Sequence, residues 1–308
     1  MSPLREALTS YLTIRRALGY KLVRAGKLLT LFVAYMEDVG AKTVTTEHAI
    51  AWAKLPAGGG VNWWAHRLSV VRCFATYLHT LDPSAEVPAA DLLPVRPQRA
   101  TPYLYSDDEI SSLIKACRCL RSPLRATTYQ TLIGLLAVTG LRIGEAIGVD
   151  REDIDFDQGL LIVNEGKFGK SRELPLHPTT LRALRSYLRE RDRLHPATGT
   201  PAFFVSTVGT RLIYCNVHWT FLRLVRFAGL KPRSTACRPR LHDLRHTFAV
   251  STMLDAYRNG ADVQARLPLL STYLGHVNPT STYWYLSAAP ELLAMASGRL
   301  QSHWESRS

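Results

Sequence analysis

Six residues between positions 142 and 285 carry side chains that could act on an anionic group. Arg142 stands in "TGLRIGE", just after a glycine that ends a helical pattern, and Lys167 lies in a turn, in "GKFGKSR". His242 and Arg245, in "LHDLRHT", are three residues apart and therefore neighbours on one helical face. His276 follows in "YLGH", and Tyr285 closes the set in "STYWYLS". Guanidinium groups stay protonated and donate in a planar fork, which suits oxyanions. A tyrosine hydroxyl, with a free pKa of about 10, needs help with its proton before it can attack anything. Taken singly, each residue has an ordinary reading: a surface arginine, a histidine capping a helix, a packed aromatic. Tyr283 and Tyr285 cannot both face one group, because helical residues two apart point about 200° away from each other.

The elements that must position these residues are mainly helical. "PLREALTSYLTIRRAL" and "VRAGKLLTLFVAYMEDV" carry apolar residues at three- and four-residue spacing, each followed by a glycine, Gly19 or Gly40. A third helix begins near "TTEHAIAWAKL", capped by Thr45 or Thr46, and a long one runs through "WWAHRLSVVRCFATYLHTL". This reading gives a helical N-terminal domain over 1–82. Pro83, Pro88, Pro94, Pro97 and Pro102 deny helix or central strand to the next stretch, read as an extended linker over 83–104. A second domain, 105–308, opens on Ser106 and Glu109 at capping-box spacing. Asp107, Asp108 and Glu109 then belong to a first helical turn, where the helix dipole favours carboxylates, rather than to a metal site. In "EDIDFDQGLLIVNEGKFGKSRELPL" the period changes to two, predicting an antiparallel sheet of about three strands. Asp153, Asp155 and Asp157 do not fit a calcium loop, since Ile154 and Phe156 alternate with them as a strand's buried face would. The fold class is thus mainly α with a small antiparallel sheet. The segment 255–270, "DAYRNGADVQARLPLL", is read as an extra turn or loop.

The formal net charge over 308 residues is +13, which points to a polyanionic partner, nucleic acid before an anionic membrane surface. Arg15, Arg16, Lys21, Arg24, Lys27, Arg67 and Arg72 give the first helices cationic faces, and Arg96 and Arg99 lie in the linker. These, with Lys170 in the hairpin, are the candidate DNA contacts. No run is apolar enough to span a bilayer and no secretory segment is evident, so a soluble cytoplasmic protein, nucleoid-associated when bound to DNA, is expected. Five cysteines without a Cys-x-x-Cys pair argue against a disulfide framework or a zinc site. His242 and His246 have zinc-pair spacing but no third ligand, and His246 is read as a packing residue. No metal and no cofactor are expected.

The paired signals "TGLRIGE" and "HDLRHTFA…LGH…Y" resemble the tyrosine recombinase family, the phage integrases and Xer-type recombinases. The resemblance covers 106–285; the N-terminal helices and linker are similar to that family's core-binding domain only in layout. It implies that Tyr285 attacks a DNA phosphodiester to leave a 3′-phosphotyrosine and a free 5′-hydroxyl, which then attacks the phosphotyrosine of another duplex. One phosphoester replaces another, so neither ATP nor metal is required. By the same resemblance Arg142 and Arg245 clamp the scissile phosphate and Lys167 protonates the leaving 5′-oxygen. His242 assists the tyrosine's proton transfer, His276 hydrogen-bonds the phosphate, and Glu145 orients Arg142. The family pattern places its lysine ahead of the glycine, which selects Lys167 over Lys170. Its usual interval after the second histidine selects Tyr285, nine positions past His276, over Tyr283; Tyr283 and Trp284 are left as packing. The expected partners are a double-stranded recombination site, a homo-tetramer across two duplexes and accessory proteins. Leu292, Leu293, Ala296 and Leu300 form an apolar stripe that docks either on its own domain or on a neighbouring protomer. The segment "ARLPLLSTYLGH…STYWYLS" looks most like recombinases of transposons and other mobile elements, and integration, excision, transposition and dimer resolution all stay open as the outcome. Two rivals remain: a catalytically silent architectural DNA-binding relative, which needs no tyrosine nucleophile, and a type IB topoisomerase-like enzyme with the same chemistry but no partner exchange.

Overall fold

A computed structural model describes residues 2–95, 101–164, 171–196, 199–276 and Ser297. The chain divides into two compact units, Met1–Arg99 and Ala100–Ser308. The first is built from α1 (Pro3–Ala17), α2 (Val23–Asp38), α3 (Thr46–Lys54) and α4 (Val61–Leu81). Ser2 caps α1 with proline following at the first helical position, and the Thr45 hydroxyl caps α3 by accepting from the His48 N–H at 3.2 Å. The apolar stripes then meet in one core: Leu8 and Tyr11 of α1, Phe32 and Met36 of α2, Trp52 of α3, Val71 and Phe74 of α4. Phe32 and Trp52 pack edge to face with centroids 5.2 Å apart.

Part of the expected linker is folded onto this unit. Ala85 and Leu93 are buried in its core, and the Glu86 N–H donates to the Val44 carbonyl at 2.8 Å. The Thr46 N–H donates to the Glu86 carboxylate at 2.8 Å, and Arg72 Nε donates to the Pro88 carbonyl at 2.9 Å. Prolines forbid helix and central strand, yet an irregular chain still packs when side chains satisfy its carbonyls. Arg72 is therefore engaged with its own unit. Arg67 departs further from expectation as a DNA contact: it is 7% exposed, its guanidinium lies 3.6 Å from the Trp52 ring centroid, and it donates to the Trp52 carbonyl at 2.7 Å. An arginine stem and planar head can fill a core against an aromatic face, a use that helical charge patterning does not reveal. Arg16, Lys21, Arg24 and Lys27 are exposed, and Arg15 is half-buried with its guanidinium 3.9 Å from the Tyr20 ring centroid. Arg96 and Arg99 lie outside the described residues.

The second unit runs α5 (Asp107–Ala116), α6 (Pro123–Thr139), α7 (Ile143–Gly148), β1 (Ile154–Asp155), β2 (Leu160–Val163), β3 (Arg172–Pro175), α8 (Pro178–Leu194), α9 (Tyr214–Phe227), α10 (Asp243–Arg258) and α11 (Val263–Leu274). Both halves of the capping box at Ser106 and Glu109 form, at 3.1 and 2.9 Å, so the acidic trio is a helix start. The strands make an antiparallel sheet in the order β1-β2-β3, with Leu161 opposite Leu174 and Val163 opposite Arg172. Helix α6 packs against α5, α8 and α10, placing Leu132, Ile133, Leu135 and Leu136 in the core.

The segment read as an extra turn or loop is a turn between two helices. Helix α10 ends at Arg258, the chain turns at Gly260, and Asp262 Oδ1 caps α11 by accepting from the Gln264 and Ala265 N–H groups at 2.9 and 3.1 Å. Leu267, Leu270 and Leu274 pack on Ala249, Val250 and Met253. Pro268 sits inside α11, where it removes one backbone donor but not the apolar face that holds the helix down.

Candidate active site

The site begins where α6 stops. Gly140 closes that helix at φ +60°, and a Cβ there would come within 2.5 Å of the Phe248 ring. Only glycine meets both demands, so the chain can turn sharply into "LRIGE". Arg142 then occupies the cap position of α7. Its backbone N–H donates to Glu145 Oε2 at 3.0 Å, and its guanidinium donates to Glu145 Oε1 at 2.8 Å and to the Gly275 carbonyl at 3.1 Å. Glu145 thus orients both the backbone and the side chain of Arg142.

His242 immediately precedes α10, and Arg245 lies in its first turn. Arg245 is 1% exposed. It donates to the Gly140 carbonyl at 2.7 Å, the Leu274 carbonyl at 2.7 Å and His276 Nε2 at 2.9 Å. A guanidinium can only donate, so Nε2 of His276 accepts and that imidazole is neutral with its proton on Nδ1. Gly275 closes α11 at φ +68° and delivers His276 to this point. Asp243 is buried and takes two hydrogen bonds from Arg240, at 2.9 and 2.7 Å. His246 lies buried beside His242, with rings perpendicular and centroids 5.0 Å apart.

Arg172 was not among the expected site residues. It donates to Glu145 at 3.2 and 2.9 Å and to the Tyr273 carbonyl at 2.8 Å. The sequence does hold a signal: in "SRELPL" the alternation puts Arg172 on the same strand face as buried Leu174, and an inward charge needs a partner.

The electrostatics follow from this crowding of cations. Burial, then the charges of Arg245, Arg142 and Arg240, push the His242 pKa down to about 4. Burial, followed by Arg245 and Arg142, lowers His276 to about 4 as well. His246 falls to about 3, again chiefly by burial. For Glu145 burial alone favours the neutral acid, but the hydrogen bonds from Arg172 and Arg142 outweigh it and hold the carboxyl below its usual range. At neutral pH the cluster therefore presents fixed guanidinium groups beside neutral imidazoles, an arrangement that receives an anion and can accept a proton.

The structure brings Arg142, Glu145, His242, Arg245 and His276 together. Lys167, Lys170, Tyr283, Trp284, Tyr285 and the apolar stripe at 292–300 lie outside the described residues. Among the described residues no three His, Cys, Asp or Glu side chains gather to hold a metal ion. No described helix is long and apolar enough to cross a membrane.

Comparison with known proteins gives this cluster its setting. Residues 104–291 match the phage integrase family. The chain is 44% identical over 314 residues to y4rB of Sinorhizobium fredii, by name an integrase/recombinase, covering 100% of both. It is 33% identical to the tyrosine recombinase XerC of Azotobacter vinelandii, over 72% of this chain and 68% of that one. Among solved structures, the Tn1549 transposon integrase in complex with transposon right end DNA aligns with a TM-score of 0.65 at 17% identity, over 98% and 100% of the two chains. A lambda integrase tetramer bound to a Holliday junction aligns at 0.58 and 20% identity, over 92% and 76%. The structural likenesses establish the fold; the sequence matches establish the kinship, and the chain belongs to the phage integrase family, the tyrosine-type site-specific recombinases.

Proposed function

We propose that this chain cuts and rejoins DNA at a specific site by transesterification through Tyr285, with Arg142 and Arg245 as the phosphate clamp, His276 as a further hydrogen bond to the phosphate, His242 as the partner for the tyrosine's proton and Lys167 as the acid. The observation that carries the proposal is the convergence of Arg142 and Arg245 on the turn Leu274–His276, each held by named acceptors. The phosphodiester's non-bridging oxygens gain charge in the pentacoordinate transition state, and guanidinium groups held in place by protein acceptors beside it would stabilise that charge. The Tyr285 oxygen bonds to phosphorus as the bond to the 5′-oxygen breaks. His242, neutral at pH 7, accepts the phenolic proton, and Lys167 gives a proton to the leaving oxygen. A 5′-hydroxyl of a second duplex reverses these steps, and the phosphoester energy is conserved throughout.

The family's kin support DNA as the partner and assembly as the working state. A tetramer across two duplexes is the proposed form, by analogy with the lambda integrase tetramer on a Holliday junction. Movement of a mobile element is the proposed outcome, by analogy with the Tn1549 integrase on its transposon end. The work would be done in the cytoplasm, on nucleoid DNA. The six-residue set counts against an architectural relative, since simple binding has no use for a nucleophile and a proton donor.

The test is a nicked suicide duplex carrying the site that the protein selects from a randomised pool. Wild-type protein is expected to form an SDS-resistant adduct in EDTA without ATP, and Tyr285→Phe none. An undiminished adduct with Tyr285→Phe would sink the assignment, and Tyr283→Phe serves as the control that should still react.

A further inference from the structure

Arg172 is the residue on which three parts of the second unit converge. It opens β3, five positions after Lys167 in the chain. Two of its nitrogens grip Glu145, the carboxylate that orients Arg142, and its Nε donates to the Tyr273 carbonyl at 2.8 Å. Its guanidinium lies flat against Gly275, close enough that a Cβ on that glycine would sit 2.9 Å from Nη1. Gly275 in turn gives its carbonyl to Arg142, and the next residue, His276, accepts from Arg245. Its side chain is 14% exposed, and all three of its guanidinium nitrogens donate to protein groups.

We propose that Arg172 is a positioning residue of the cleavage reaction: by holding Glu145 and the Tyr273–Gly275 backbone at once, it sets Arg142 and His276 in register with each other. The proposal rests on the strand-cleavage reading above. Charge within the trio supports it. Glu145 carries one negative charge and is shared between two guanidinium groups, so Arg142 is oriented by the carboxylate without being fully neutralised by it. Remove Arg172, and Glu145 belongs to Arg142 alone; the clamp is then both quenched and loosened. Lysine cannot replace it, because a point charge cannot bind both carboxylate oxygens and a carbonyl in one plane.

Single-turnover cleavage at saturating protein, together with Kd measured against salt, tests the proposal. Arg172→Ala is expected to slow cleavage about a hundredfold, the scale of a misplaced catalytic group. Its Kd should stay within about threefold and its salt slope should not change, since Arg172 does not touch the DNA backbone. Arg172→Lys should recover less than about a tenth of the lost rate. Combined with Glu145→Gln, the two losses should combine to clearly less than their product, since part of the effect of Arg172 passes through that carboxylate. Losses that multiply in full would overturn the proposal by making Arg172 independent of Glu145. A salt slope reduced by about one would overturn it by making Arg172 a phosphate ligand. If Arg172→Ala does not fold, as judged by thermal unfolding, Arg172→Lys decides, and a wild-type rate in that variant overturns the proposal. A wild-type chain that forms no adduct would overturn the cleavage reading itself, and this inference with it.

Discussion

Two groups of cations, one in each unit, carry positive charge in different ways. In the first, Arg16, Lys21, Arg24 and Lys27 stand exposed on helices or the turn between them. In the second, Arg245 is buried, and Arg142 and Arg172 are largely covered, with each guanidinium directed by acceptors 2.7–3.2 Å away. Exposed cations attract a polyanion over a distance, tolerate displacement and are screened by salt. Covered and aimed cations act over one bond length and have already met the cost of being oriented. The first arrangement suits holding DNA, the second suits changing one phosphodiester in it.

The sharpest way to break this contrast is Arg245→Ala. It should reduce single-turnover cleavage by about a thousandfold or more, the scale of losing a preorganised oxyanion donor. It should also destabilise the second unit by about 2–4 kcal/mol in a thermal or urea melt, because the Gly140 and Leu274 carbonyls lose a buried donor. An exposed-cation role would leave the melt unchanged.

Gly140→Ala tests whether the aiming depends on the backbone turn. The added methyl faces Phe248 at 2.5 Å in a left-handed conformation, so a loss of about 1–3 kcal/mol is expected, with slower cleavage and little change in Kd.

The histidines sharpen the contrast through pH. In the DNA-free protein His242 and His276 sit at about 4 against an ordinary 6.5, so the stability from keeping them neutral is present above about 6.5 and lost as pH falls toward 4. A phosphate beside Arg142 and Arg245 offsets part of the repulsion and raises both values, so binding takes up protons and tightens as pH falls from 7 to 5. Calorimetry in two buffers of different ionisation enthalpy measures the uptake, and zero uptake at pH 5 would contradict it.

The smallest effect belongs to the first unit. Arg24→Ala with Lys27→Ala should weaken DNA binding and reduce the salt slope by about one for each phosphate left unneutralised. Cleavage at saturating DNA should be unaffected. Arg67→Met should leave the salt slope alone, because its guanidinium is packed on Trp52.

What could be read from the sequence was what is local in it. The Ser106–Glu109 box, the Thr45 cap, the stop at Gly140 and the period-two strands each depend on neighbours within a few positions, and each formed. The clustered site residues were legible as motifs whose order resembles a family. Partnerships across the fold were not. Arg172 meets Glu145 from 27 positions away and Tyr273 from 101. Arg67 finds Trp52 through the packing of two helices, and the proline-rich stretch finds donors on α3 and α4 that its own composition does not announce. Helix α11 escapes a reading by pattern because Pro268 suggests a break, whereas its Asp262 cap and leucine face outweigh one missing hydrogen bond.

The most direct test of the phosphate clamp is Arg142→Lys, measured for both equilibrium DNA binding and single-turnover cleavage on the same suicide duplex. Lysine keeps the charge but cannot hold Glu145 and the Gly275 carbonyl while facing a phosphate. The expected result is a Kd within about threefold of wild type and a cleavage rate lower by about a hundredfold to a thousandfold. Binding and cleavage falling in parallel would contradict it, placing Arg142 among the residues that merely hold DNA.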